Sequence, residues 1–276
     1  MKRKLLFSML TLGFLSGTLK AQVILGSDPT QEIKVTTSSN YTPQYWTLSA
    51  TGEKTINKVG LEGPLMEASR FLSQATLGAD LATIEQVANQ GIEAWIDDQM
   101  TVPQSQTLDR LNEVFAEVIE WYLVNGGNPD EVSTRPYWTI FNYTWWENHM
   151  KNDDLLRQKV ALALSEIFVI SIESNLSDAG FGLADYYDIL LKHSFGNFED
   201  MLREISLHPC MGYHLRHLNN PREIPEENIH ADENYAREIM QLFSIGLFML
   251  NPDGTQQLDG NGFPIPTYDN NDIKEM

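Results

Sequence analysis

Glu233, Arg237 and Gln241 stand at i, i+4 and i+8, with Asn234 and Glu238 spaced i, i+4 beside them. A helix through this stretch therefore carries two adjacent polar rows. Two carboxylates beside a guanidinium and an amide suit general acid–base work or cation binding. Glu233, Arg237 and Glu238 are accordingly the candidate catalytic residues, with Asn234 as a binding residue. The same row also reads as an Arg237 ion pair that locks one helix to its neighbours. Because Tyr235, Ile239, Met240 and Phe243 flank the row, Glu233 and Arg237 are expected to be mostly buried. Their expected partners are the stretch from Tyr187 to Asn197, or Asn219.

Glu223, Glu226, Glu227 and Asp232 add acid to Glu233 and Glu238, with His230 among them and His208, His214 and His217 just before. Imidazole and carboxylate together can hold zinc or another transition ion, and His214 and His217 share a face if their stretch is helical. No His-Glu-x-x-His spacing occurs. The default is solvated acids and ordinary surface histidines, so His214, His217 and His230 stay candidates, no metal is assigned and the cofactor is left unknown. Ser244 sits in Leu242-Phe243-Ser244-Ile245-Gly246, which lacks the leading glycine of a nucleophile elbow. Cys210, close to His208, reads as a small core residue rather than half of a Cys-His pair. Gly180-Phe181-Gly182-Leu183 follows a polar loop and not a strand, so it is no dinucleotide loop. Asp259-Gly260-Asn261-Gly262 starts like a calcium loop, but Phe263 takes the next ligand position and a turn between short strands fits better.

The elements that must position these groups are helices. Ala68, Phe71, Leu72 and Ala75 keep helical spacing from Pro64 until Gly78, and Asp80 can cap a second helix that ends at Gly91. Ile92, Trp95 and Ile96 begin a third. Leu108, Leu111, Phe115, Val118, Ile119 and Tyr122 form the longest stripe, closed by Asn125-Gly126-Gly127. Further helices centre on Trp138 to His149, on Leu156 to Ser171 behind the capping Asp153 and Asp154, and on Leu183 to His193. A short stripe from Phe198 to Ile205 breaks at Pro209, and a last strong helix is expected from Asp232 to Gly246. No fixed repeat period and no βαβ alternation emerges, so the class is all-α, an irregular multi-helix bundle. Trp138, Phe141 and Trp145 share a face and are expected in the core against the Leu108 to Tyr122 helix; Tyr143 and Trp146 point elsewhere and can stack on sugar rings.

Several strings in this order resemble the bacterial family called domain of unknown function 1800. They are Ala68-Ser69-Arg70-Phe71-Leu72-Ser73-Gln74-Ala75-Thr76-Leu77-Gly78, Leu156-Arg157-Gln158-Lys159-Val160-Ala161-Leu162-Ala163-Leu164-Ser165, Tyr187-Asp188-Ile189-Leu190, Ser194-Phe195-Gly196-Asn197-Phe198, His208-Pro209 and Glu233-Asn234-Tyr235-Ala236-Arg237-Glu238. Asp188, Asn197 and His208, which lie in these strings, join Asn234 as candidate binding residues. The resemblance covers about Pro64 to Met276. It implies a secreted, mostly helical protein of unresolved activity, often encoded beside a sulfatase-like partner, and it supplies no mechanism. Cys210 stands where the family has a small Ala, and Gln241 where it has an acid, which puts in doubt any role needing a third carboxylate on that helix. The family pattern runs on beyond Tyr268 to Met276, so the chain is expected to be an incomplete copy, poorly stable alone, with apolar helix faces open to water.

Met1-Lys2-Arg3-Lys4 and the apolar run from Leu5 to Leu15 form a signal-peptide pattern, with cleavage expected between Ala21 and Gln22. The uncleaved alternative is a membrane anchor, but the run is short and no acylatable Cys follows it. Residues 22–63 read as a Thr- and Ser-rich leader or linker, poorly ordered or carrying short strands at Glu32 to Thr36 and Tyr45 to Leu48. Residues 64–276 are the helical domain. The whole chain has 19 basic and 38 acidic residues; without Lys2, Arg3, Lys4 and Lys20, 15 face 38, a formal charge of −23. That field repels phosphate backbones and anionic lipid, so nucleic-acid binding is not expected, and no later run is long enough for a membrane span. One cysteine excludes an intrachain disulfide. Two functions remain. The first is a binding or assembly module acting with a partner at the cell surface, exported to the periplasm, surface or medium. The other is a hydrolase of extracellular polymer centred on Glu233, Arg237 and Glu238.

Overall fold

The computed structural model describes residues 33–35, 44–46, 63–173 and 175–275. The expected signal peptide, its cleavage point and most of the leader lie outside them. The chain divides into two units, Met1–Gly63 and Pro64–Met276. In the first, β1 (Ile33–Val35) pairs antiparallel with β2 (Gln44–Trp46), with Lys34 opposite Tyr45. These are β-branched and aromatic pieces of the kind that suit a strand.

The second unit is helical, as the spacing predicts. Its helices are α1 (Gly63–Ala75), α2 (Leu81–Gln90), α3 (Ile92–Thr101), α4 (Thr107–Val124), α5 (Trp138–Lys151) and α6 (Leu155–Ile167). α7 (Gly180–His193), α8 (Phe198–Leu207), α9 (Pro209–His214), α10 (Asn234–Gln241) and α11 (Asn270–Glu275) follow. α1, α2 and α3 close over Ala68, Leu72, Val87 and Trp95, with Phe71 edge-on to Trp95 at 5.5 Å. α4, α5 and α7 meet at Leu111, Val114, Ile140 and Ala184. The largest cluster lies around Tyr187, Leu190 and Leu191 of α7, with Ala161, Met201 and Ile205 packed on them. α7 is thus the axis, apolar on most of its circumference because other helices surround it.

The helix ends follow from their residues. Asp80 accepts the Thr83 N–H at 2.8 Å, and Gly91 at φ +89 ends α2 and begins α3. Asp154 departs from its expected role. It is 1% exposed and makes no cap bond to α6, accepting instead from the backbone N–H of Ser105 at 2.9 Å and from the Ser105 hydroxyl. The last strong helix is also shorter than expected. Asp232 Oδ1 accepts from Asn234 N–H, but after Gln241 the chain widens into bonds from Phe243 to Glu238 and from Gly246 to Met240, with Gly246 at φ +76.

Beyond α10 lies a period that the sequence reading missed. Gly246, Gly254 and Gly262 recur every eight residues at φ +76, +83 and +85. The segments between them close on each other: Gln257 N–H donates to Met249 at 2.8 Å, Ile265 to Gln257 at 3.0 Å, and Met249 to Ile265 at 2.9 Å. Each middle residue gives one backbone bond and takes one, so this ring satisfies its own central groups.

α4 and α5 are joined by charge as well as by packing. Glu147 on α5 is buried and accepts from Arg110 Nε at 2.9 Å, and Lys151 reaches it at 2.5 Å. The Arg110 bond, with help from Lys151, holds the Glu147 carboxyl below its usual value of 4.5 despite burial. A depressed folded-state pKa means stability present above the unfolded value and lost as pH falls through the folded one. Chemical denaturation is therefore expected to show a loss of stability below about pH 4.5 that is smaller in Glu147→Gln, a variant less stable than the parent at neutral pH by ~1–3 kcal/mol. Parallel acid limbs in the two proteins contradict this assignment.

Candidate functional site

α10 is two turns long, and its apolar side sets where its polar rows go. Met240 is buried, and Tyr235 and Ile239 pack against the main cluster. The Glu233 and Arg237 row consequently faces outward, 39% and 46% exposed at the side chain, and the two pair with each other at 2.6 Å. The expected burial and the expected bonds to the Tyr187–Asn197 stretch or to Asn219 are not found. So short a helix against the core can hide one stripe only, and the apolar stripe takes that place. Asn234 is exposed, while Gln241 accepts from the Tyr268 hydroxyl at 3.3 Å. Glu238 differs: its Oε2 is buried and has no hydrogen-bond partner among the described residues.

The other singled-out residues do not converge on this row. Asp188 accepts from the N–H groups of Thr107 and Leu108 at 2.7 and 2.9 Å, so it caps α4 from α7, and Gln104 donates to its carbonyl. Burial outweighs those bonds and pushes its carboxyl above the ordinary range. Asn197 caps α8 through Glu199 and Asp200. His208 caps α9: its Nδ1 accepts the Cys210 N–H at 3.2 Å, and its Nε2 meets Asp185 at 3.1 Å. His214 Nδ1 accepts from Ser171 N–H at 3.4 Å, and exposed His230 pairs with Glu223 at 3.4 Å. Among the described residues no three His, Cys, Asp or Glu side chains come together as a metal site.

Two glycines explain the false dinucleotide loop. A Cβ on Gly180 would meet the Pro136 carbonyl at 2.5 Å, and one on Gly182 would meet Cys210 Sγ at 2.7 Å, so both make room at the start of α7. Burial pushes the Cys210 thiol up to about 11, which suits a core residue and not a nucleophile. Asp259 Oδ1 accepts from Asn261 and Phe263 N–H groups and so shapes a turn.

One cluster escaped the sequence reading because its members lie on three separate segments. The Tyr235 hydroxyl donates to Ser206, whose hydroxyl donates to the Leu202 carbonyl. His217 Nε2 donates to the Ser206 carbonyl at 2.9 Å, and its ring stacks on Tyr235 with centroids 3.9 Å apart. His217 Nδ1 is buried and has no hydrogen-bond partner among the described residues. Arg216 and Asn219 on either side hold φ near +60°, an uncommon conformation for such residues.

The aromatic stretch is also placed differently from expectation. Ile140 meets Leu111 and Val114 of α4, and of the three expected rings Phe141 packs against that cluster while Trp138 and Trp145 do not. Those three rings are half-buried, and Phe141 and Trp145 lie edge-on to Tyr187 of α7 at 6.4 and 6.2 Å.

Residues 70–276 match the family model described as "Protein of unknown function (DUF1800)". No curated protein and no solved structure matches the chain.

Burial holds His208 below its ordinary value of 6.5 in spite of Asp185. A base with a lowered folded-state pKa gives stability that is present above 6.5 and lost as pH falls through the folded value. His208→Asn keeps a good cap without the titration, whereas His208→Ala removes both. Between pH 7 and pH 5 the parent is expected to lose more stability than His208→Asn, and His208→Ala to be ~1 kcal/mol weaker than the parent at pH 7. Equal losses in parent and Asn variant exclude His208 as a source of the pH dependence.

Proposed function

The chain belongs to the DUF1800 family, and we propose that it works as an exported binding or assembly module that docks a partner protein through the surface running from Leu242 to Phe263. One observation carries this reading. Leu242 is 62% and Phe263 66% exposed, and Ile245, Leu247, Met249, Leu250 and Leu258 between them also stand open to water. Apolar side chains so concentrated mark an interaction surface. The closed Met249–Gln257–Ile265 ring supports the same reading, since a partner would meet side chains there and not the backbone of the ring's middle residues. The signal-peptide pattern favours action in the periplasm, at the cell surface or in the medium, and the family resemblance favours a sulfatase-like partner.

Co-expression with a sulfatase-like protein of the kind often encoded beside members of the family, followed by sedimentation, tests the proposal. A complex is expected, weakened at least tenfold by Leu258→Asp with Phe263→Asp. Absence of a complex, or an unaltered one, counts against it.

The hydrolase reading keeps one specific support, the buried and unpartnered oxygen of Glu238. If it is right, the protein depolymerises an extracellular polysaccharide or peptide polymer, and Glu238→Gln lowers that rate by at least a hundredfold while the fold and the Glu233–Arg237 pair persist. A protein inert on such polymers, or a Gln variant as active as the parent, removes this reading.

A further inference from the structure

α5, α6 and α7 with the following Ile170–Ile172 stretch enclose a cleft of about 320 Å³. Phe168, Tyr186, Tyr187 and Leu190 form its buried floor, and Trp146, 56% exposed, stands at its rim beside Asn142. The ring of Trp145 lies perpendicular to Trp146 with centroids 4.9 Å apart, which fixes the Trp146 ring as a wall.

The polar groups decide what such a cleft can hold. Among the described residues no charged side chain lines it, although the chain carries a net charge of −19. An ion would lose its water there with nothing to replace it. The tyrosine hydroxyls are turned to other work, Tyr186 donating to the Phe168 carbonyl and Tyr187 meeting His149 Nε2 at 3.4 Å, so these residues offer ring faces. The half-buried Asn142 amide makes no hydrogen bond to any described residue. Ser165 donates to the Leu162 carbonyl and keeps its oxygen free to accept. A purely apolar occupant would cut the Asn142 amide off from water and leave it unpaired. The remaining class is neutral, flat on its faces and hydroxylated at its edge. The volume lies at the lower end for ligand sites, enough for one ring.

We infer that this cleft binds a neutral pyranose ring, stacked on Trp146 and hydrogen-bonded by Asn142. The inference is independent of the docking surface at Leu242 to Phe263, and either can fail alone. Sugar binding by an aromatic wall places an apolar ring face on an indole while the hydroxyls find an amide.

The test is to titrate the full chain with methyl β-glucopyranoside, cellobiose, glucuronate and cyclohexanol, following tryptophan fluorescence and ligand NMR. Saturable binding of the two neutral sugars is expected, with glucuronate at least tenfold weaker. Trp146→Ala is expected to lose at least tenfold in affinity and Asn142→Ala at least threefold. Trp146→Phe, which keeps a ring at the wall, retains most of the binding, and Tyr143→Ala, outside the lining, retains all of it. Circular dichroism of each variant separates a lost site from a lost fold. Sugars that bind Trp146→Ala and Asn142→Ala as they bind the parent overturn the inference. So does glucuronate binding as tightly as the neutral sugars, cyclohexanol binding where the glycosides do not, or no saturable ligand at all, which would make the cleft a packing gap.

Discussion

A helix enclosed by other helices has no water for its polar atoms, so each must find a protein partner or stay out of the interior. α7 meets that demand in a way that organises its neighbours. Asp188 takes the first two free N–H groups of α4, the Tyr186 hydroxyl goes to the end of α6 at Phe168, and Ser194 bonds back to Leu190 and to Arg157. Arg157 in turn donates to the Leu191 carbonyl and lies over Phe195 at 4.7 Å. The polar atoms of α7 therefore set where α4 begins and how α6 runs past.

This explains why several residues with the look of a site proved structural. Asp188, Asn197 and His208 are hydrogen-bonding residues in the strings that carry the family resemblance, and each caps a helix. Capping asks for the side-chain oxygens and nitrogens that binding also asks for. Sequence strings cannot separate the two uses when the capped helix is remote, as α4 is from Asp188.

Apolar spacing made the helices and most of their punctuation legible, because burial of one face and the Gly91 and Asp80 signals act within a few residues. Asp154 was read as a cap on its own helix; its real partner, Ser105, lies 49 residues away. The Ser206–Tyr235–His217 cluster was hidden for the same reason, and the eight-residue glycine period was hidden because it spans only three turns. The Glu233–Arg237 row was placed correctly on a helix but on the wrong side of it. Its flanking apolar residues were read as burying the row, whereas on a two-turn helix they take the interior themselves.

The exposed row and the aromatic cleft illustrate one trade-off from opposite ends. A charged pair left at the surface costs little, and the exposed Glu233–Arg237 pair holds little of the fold together. Half-covered aromatic rings are different, since each leaves apolar area in contact with water that a fuller core would hide. Phe141 and Trp145 pack on the main cluster only in part, and the cleft that they line with Phe168, Ile170 and Ile172 lies beside them. Tyr186 ties two sides of that cleft together, because its hydroxyl donates to the Phe168 carbonyl at the point where α6 ends. The same bond that satisfies a buried hydroxyl of α7 thus joins two residues of the cleft's floor.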